Sequence, residues 1–274
     1  MPHVVSRDGT RIAYEQSGAG EPVVLVDGAM GSRSLGFLRP LAELLAMSHS
    51  VIAYDRRGRG ESSDTSPYAV EREVEDIAAL IDAGGGEAAL YGISSGAALA
   101  LEAAVRLDDR VRAVALYEPP YNDEDAELWR AYERDLDELL AADRRGEAVA
   151  LFMTFVGVPP EQIAPMRGTP VWSVFQASAP TLAYDAAVLG ENRAVPTDLA
   201  ARLRAPALVM NGSASYPFMR DTARTLAEAM PTGRYRELPG QRHDVEAEAI
   251  APVLTEFFST APARRESEEK RPAA

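Results

Sequence analysis

The sequence predicts an α/β fold, a doubly wound and mostly parallel sheet with helices on both faces. Two observations predict it. Short continuous apolar runs, such as Pro22–Val26 and Ser50–Tyr54, have the pattern of strands buried on both faces. They alternate with longer segments whose apolar residues recur at helical spacing, and a βαβα order feeds a parallel sheet.

The elements follow in order. Val4-Val5 and Arg11–Gln16 flank an Asp8-Gly9 turn and predict a hairpin. After the strand at Pro22–Val26, Leu35 to about Met47 reads as a helix. The strand Ser50–Tyr54 is followed by an amphipathic helix over Glu71–Ile81. Ala88–Tyr91 reads as strand, Ser95–Leu107 as a strong helix and Val111–Tyr117 as strand. From Asn122 to about Pro196 the patterns are helical, with no convincing buried strand. Ala205–Asn211 and Arg234–Leu238 resume the strands, Met219–Ala229 is helical between them, and Val245–Phe258 closes the fold as a helix kinked or split at Pro252. The predicted organisation is a core over 1–118, a helical lid over 119–196, the rest of the core over 197–260 and a disordered polar tail over 261–274.

Composition narrows the chemistry. The chain has 274 residues and no Cys, which excludes disulfides, thiol nucleophiles and thiolate-held metals. Three His are too few and too scattered for a multi-His metal cluster, so no metal is expected. A formal charge of −14 argues against nucleic acid or an anionic membrane as partner and leaves a small-molecule substrate. No apolar run is long enough to span a bilayer and the N-terminus lacks the apolar core of a signal peptide, so the expected location is cytoplasmic.

The strongest chemical signal is Gly92-Ile93-Ser94-Ser95-Gly96. The five-residue pattern alone is weak, but here it joins a predicted strand to a long predicted helix. That context is a nucleophile elbow, with Ser94 presented at the top of the sheet and the helix N-terminus behind it favouring negative charge. The Ser95 N–H is then one oxyanion donor. A serine needs a base, and His243 lies in the loop after the last predicted strand. His3 and His49, at the chain start and a helix end, read as solvated.

Strand, elbow, helical insertion and last-loop His together resemble the α/β-hydrolase fold, in its lidded esterase, lactonase and thioesterase-like branch, over about residues 2 to 259. That resemblance implies an eight-stranded sheet. Asp55-Arg56-Arg57-Gly58-Arg59-Gly60-Glu61-Ser62 is similar to the family's turn after the fourth strand, where it serves as a structural loop. Two positions depart from the pattern. The family's His-Gly after the third strand is Asp27-Gly28 here, so Ala29 (or Met30) N–H is left as the second oxyanion donor, with an acidic neighbour that opposes an oxyanion unless turned away or paired. The family's acid after the seventh strand is Ser215, in Gly212-Ser213-Ala214-Ser215.

Some members of the fold take the acid from the end of the sixth strand, which makes Glu118 the favoured candidate. Its ordinary alternative is a structural anchor at the lid hinge. Asp221 and Asp244 are weaker candidates, and a Ser–His pair without an acid is also open. The resemblance implies attack by Ser94 on an ester, lactone or thioester, with no cofactor. A substrate pocket is expected from Met30, Phe152, Phe155, Trp172 and Phe218, with Phe37, Met210 and Met219 nearby; for each the alternative is ordinary packing. Two other functions stay in view on the same fold: a cofactor-free lyase or cyclase, and a non-catalytic small-molecule binding protein.

Overall fold

The computed structural model describes residues 2–260; the polar tail expected over 261–274 lies outside them. Among the described residues, eight strands form one sheet. They are β1 (His3–Val5), β2 (Arg11–Ser17), β3 (Pro22–Val26), β4 (Ser50–Tyr54), β5 (Ala88–Ile93), β6 (Val111–Tyr117), β7 (Ala207–Gly212) and β8 (Gly233–Leu238). Their spatial order is β1-β2-β4-β3-β5-β6-β7-β8. β1 and β2 form the expected antiparallel hairpin, with Gly9 at φ +90° in its turn. β2 pairs antiparallel with β4, and every later pairing is parallel.

Strand alternation explains why the runs are apolar throughout. Val24, Val26, Leu90, Val114 and Leu116 face one core with α2 (Val70–Ala83) and α3 (Ser95–Leu107). Their alternating neighbours Val23, Leu25, Tyr91, Ala113 and Ala115 face a second core with α1 (Arg39–Leu45) and α11 (Ala247–Thr260). Two buried faces require apolar residues at both phases of the strand.

Between β6 and β7 the chain forms α4 (Ala126–Ala141), α5 (Arg145–Phe155), α6 (Pro160–Met166), α7 (Pro170–Ser178), α8 (Leu182–Leu189) and α9 (Thr197–Ala200). α10 (Pro217–Ala229) joins β7 to β8. Three expectations change. α1 is shorter than Leu35–Met47, because Gly36 takes φ +72° and Pro40 starts the helix at its first turn. α11 is one helix through Pro252 rather than two. His49 is buried, not solvated: its ring meets Phe258 edge-on and its Nδ1 lies 2.9 Å from the Ser48 hydroxyl.

The direction of winding reverses at β3, since β4 lies on one side of it and β5 on the other. Open α/β sheets bind ligands at such a switch point, beyond the carboxyl ends of the strands. Asp27–Ala29 follow β3 and Ser94 follows β5, so the topology brings both there.

Candidate active site

Ser94 sits between β5 and α3 with φ +57° and ψ −132°. A non-glycine residue in the left-handed half of conformational space stores strain, and a sharp strand–helix turn imposes it here. The turn admits only small neighbours. A side chain at Gly92 would strike the Gly96 backbone at 2.3 Å, and one at Gly96 would strike the Val26 carbonyl at 2.3 Å. The Ser94 N–H is anchored on the Tyr117 carbonyl at 2.9 Å, which ties the elbow to β6.

Glu118 directly follows β6; it is fully buried and takes φ +47°. Every oxygen of its carboxylate is engaged. Oε1 accepts the Gly212 N–H at 2.8 Å; Oε2 accepts the Ser215 hydroxyl at 2.8 Å and lies 2.7 Å from His243 Nδ1. Ser215, in the position where the resemblance led us to expect the acid, thus donates to the acid that came from the neighbouring strand. The His243 loop is fixed from below by the Tyr117 hydroxyl, which donates to the Arg242 carbonyl at 2.5 Å. It also crosses Gly212 so closely that a side chain there would meet the Gln241 carbonyl at 2.1 Å. The other candidate acids are elsewhere: Asp244 pairs with Arg242, and Asp221 is exposed on α10.

Ala29 and Ser95 supply the backbone at the opposite side. Neither N–H has a protein acceptor among the described residues, and the first turn of a helix leaves its N–H groups free for a ligand. The Gly28–Ala29 peptide is held from behind, because Arg59 Nη1 donates to the Gly28 carbonyl at 2.6 Å. Met30 takes φ +59° and its side chain is buried in the core, so it does not line the cavity.

Asp27 is turned back onto its own loop, where Oδ1 accepts the Gly28 N–H at 2.8 Å and the carboxyl lies against Gly31, which has no side chain to displace it. Burial pushes its pKa up to about 6; the Gly28 N–H and the Arg59 and Arg56 guanidiniums pull it back. A raised carboxylate pKa means that the folded state holds the proton more tightly than the unfolded chain. Folding stability is therefore lost as pH rises from about 4 through 6, by roughly 2–3 kcal/mol for a shift of this size. Asp27→Asn keeps the acceptor for Gly28 and is expected to raise the melting temperature at pH 7.5, with no gain at pH 4. Equal melting curves at both values would contradict the assignment.

A charge cluster that sequence reasoning did not find lies behind these groups. Asp185 on α8 is buried and accepts Arg56 Nη1, Arg59 Nη2 and the Ser95 hydroxyl at 2.7, 2.7 and 2.8 Å. Arg56 also makes a two-bond pair with Glu73 on α2, and Arg59 Nε donates to Thr181. The Arg-rich turn after β4 is thus structural, as expected, but some of its partners, Asp185 and Thr181, come from the helical insertion. One carboxylate ties that insertion to the loop of Ala29 and to the first residue of α3.

Ser94, Ala29, Phe152 and His243 border two cavities. The first, about 200 Å³, lies beneath the insertion and is walled by Trp129, Tyr132, Phe155, Leu182, Phe218 and Met219. The second, about 580 Å³, opens between Phe37 and the Val245–Ile250 segment. Of the expected pocket residues, Phe152, Phe155 and Phe218 line the first. Trp172 does not: it is buried inside the insertion, with the Arg167 guanidinium 5.3 Å over its ring. Met210 is likewise core.

A family model described as "Alpha/beta hydrolase family" matches residues 23–254. The chain belongs to the alpha/beta hydrolase family. Its fold and its relatives' names support a hydrolase. The chain is 50% identical to an alpha/beta hydrolase from Sphaerobacter thermophilus of known structure, with a TM-score of 0.83 over 94% of this chain and 100% of that one. An esterase from Thermogutta terrifontis shares the fold at 24% identity and a TM-score of 0.71, covering 95% and 98% of the two chains. An alignment at 36% identity to "Putative carbamate hydrolase RutD" of Azorhizobium caulinodans spans 42% of this chain and 43% of that protein. No described helix is long and apolar enough to cross a membrane.

Proposed function

We propose that this alpha/beta hydrolase transfers the acyl group of a small, mostly apolar carboxylic ester, lactone or thioester through Ser94. The observation that carries the reading is the pairing of His243 Nδ1 with the buried Glu118 at 2.7 Å, on a ring that borders the same cavity as Ser94. With Nδ1–H donated to Glu118, the imidazole presents Nε2 as an acceptor toward the cavity, the tautomer a general base needs.

Ser94 Oγ attacks the carbonyl carbon while its proton passes to His243 Nε2. The carbonyl oxygen gains the negative charge, and the N–H groups of Ala29 and Ser95 stabilise it. Collapse breaks the bond to the leaving group, which takes the proton from Nε2–H. Water then repeats the sequence on the acyl-enzyme, with His243 as base, and releases the carboxylic acid. A relative carrying a carbamate hydrolase name is consistent with chemistry at an acyl carbon.

The test is intact mass after treatment with a fluorophosphonate. The wild type is expected to gain one adduct, and Ser94→Ala and His243→Ala none. A folded wild type that stays unlabelled, and also fails to turn over p-nitrophenyl acetate, would move the assignment to a lyase or a binding protein on the same fold.

A further inference from the structure

The insertion places a buried cation at the nucleophile's cavity, one that the acyl-transfer steps do not use. Arg193 lies just beyond α8 with φ +51° and is 5% exposed, and it lines the smaller cavity together with Ser94 and His243. Its backbone is pinned, since its N–H donates to the Gly190 carbonyl at 3.1 Å and its carbonyl accepts the Asn122 N–H at 2.8 Å. Its guanidinium carbon is 5.3, 5.2 and 5.7 Å from the ring centres of Trp129, Phe155 and Phe218.

Those rings stabilise the cation's face and offer its in-plane donors nothing. One donor is matched: Nη2 reaches Asp125 Oδ2 at 2.9 Å. Nε is buried with no acceptor, and Nη1 has none among the described residues. A buried donor without an acceptor is costly, and burial accordingly pulls the Arg193 pKa down, with Asp125 opposing that shift. A mere structural staple between Arg193 and Asp125 would not explain why Nη1 stays unmatched on a side chain that lines the cavity. Asp125 is about one-third exposed, so its charge is partly screened by solvent.

Resting on the acyl-transfer reading of Ser94, we propose that the substrate carries a carboxylate as well as its scissile acyl bond, and that Arg193 is the receptor for that carboxylate. Nη1 is the donor left for a carboxylate oxygen on a side chain that lines the cavity, and the aromatic walls take the apolar chain between the two groups. Asp125 and Asp185 also line the cavity, but Asp125 is paired with Arg193 itself and Asp185 with Arg56 and Arg59, so the guanidinium of Arg193 is the feature of the wall that separates an acidic substrate from a neutral one of the same length.

The experiment compares monoethyl esters of glutaric and adipic acid with ethyl esters of the unbranched monocarboxylic acids of equal length. A second pair, the O-acetyl esters of 4-hydroxybutyrate and of 1-butanol, places the carboxylate on the leaving-group side. In at least one pair the wild type is expected to favour the acid by about tenfold or more in kcat/KM, the range of a charge-assisted pair. The ratio is expected to collapse toward one in Arg193→Gln and to be intermediate in Arg193→Lys, which keeps the charge without the planar fork. A wild-type ratio near one in both pairs, or a ratio unchanged in Arg193→Gln with native melting behaviour, overturns the proposal.

Glutarate and adipate themselves form a binding arm that needs no turnover. Each is expected to raise the melting temperature of the wild type and not of Arg193→Gln. Stabilisation through Arg193 without cleavage of any ester would keep the carboxylate site and remove the acyl-transfer reading. Cleavage without acid preference or stabilisation would do the reverse.

Discussion

Glu118→Gln is expected to lower turnover of a cleaved ester by about four orders of magnitude while the protein stays folded, the scale seen when a triad acid becomes an amide. The Glu118 carboxylate accepts three hydrogen bonds in place, from Gly212 N–H, the Ser215 hydroxyl and His243 Nδ1–H. A glutamine that keeps its carbonyl oxygen on Gly212 turns its NH2 toward His243. Nδ1 must then accept, the proton moves to Nε2, and the ring can no longer take the proton of Ser94. Ser215→Ala leaves the Glu118–His243 pair intact and is expected to cost at most about ten- to a hundredfold, the worth of one hydrogen bond to a charged group. Ser215 also supplies a stricter test. Its hydroxyl already reaches the oxygen that faces the ring, so an added Ser215→Asp in the Glu118→Gln background is expected to restore part of the rate. The same substitution beside an intact Glu118 puts two carboxylates in one buried site and is expected to be harmful. Steady-state kcat of the four variants decides the matter, and near-normal turnover in Glu118→Gln would remove Glu118 from the mechanism.

That acid marks where the sequence stops being sufficient. The strands, the elbow and the loop of His243 are legible because each is a local pattern: alternation of buried faces, a Gly-x-Ser-x-Gly turn between strand and helix, a lone His after the last strand. Glu118 is not local information. It became a candidate because Ser215 left the usual position empty, and only the pairing of β6 with β7 brings Glu118, Gly212 and Ser215 together. The pocket shows the same limit. The Phe152 and Phe155 helix is apolar on several faces, so periodicity does not say which residues look into the cavity. Trp172 carries the same aromatic signal and packs inside the insertion. Met30 follows the right strand, but its left-handed backbone goes with a side chain buried in the core. His49 read as a solvated helix end because the phenylalanine that covers it, Phe258, lies at the far end of the chain. The Asp185 cluster was the least legible of all, since its partners are 126 and 129 residues away.

That cluster carries the largest expected effect on stability. Asp185→Leu is expected to destabilise the fold by about 3–5 kcal/mol, because it leaves Arg56 and Arg59 buried with less compensating charge. Burial by itself would raise the Asp185 pKa, but Arg59, Arg56 and the Ser95 hydroxyl outweigh it and hold the group below its ordinary value. A depressed carboxylate pKa contributes stability above the unfolded value and loses it as pH falls through the folded one. The difference in melting temperature between wild type and Asp185→Leu is therefore expected to shrink under acid conditions. Asp185→Asn separates stability from catalysis. It keeps the shape of the site and weakens the grip on Arg59, the residue that holds the Gly28 carbonyl and so the direction of the Ala29 N–H. An oxyanion donor that drifts lowers kcat more than it raises KM, since the interaction matters most in the transition state. The expected loss in kcat for Asp185→Asn is about ten- to a hundredfold, below the cost of deleting a donor outright. Thr181→Ala, which removes the Arg59 Nε acceptor and the hydroxyl's own bond to the Ser178 carbonyl but leaves Asp185 in place, is the control and is expected to cost about 1–2 kcal/mol of stability with little change in kcat. Loss of stability in Asp185→Asn with kcat preserved would make the cluster a fastening for the insertion alone, with no part in setting the oxyanion site.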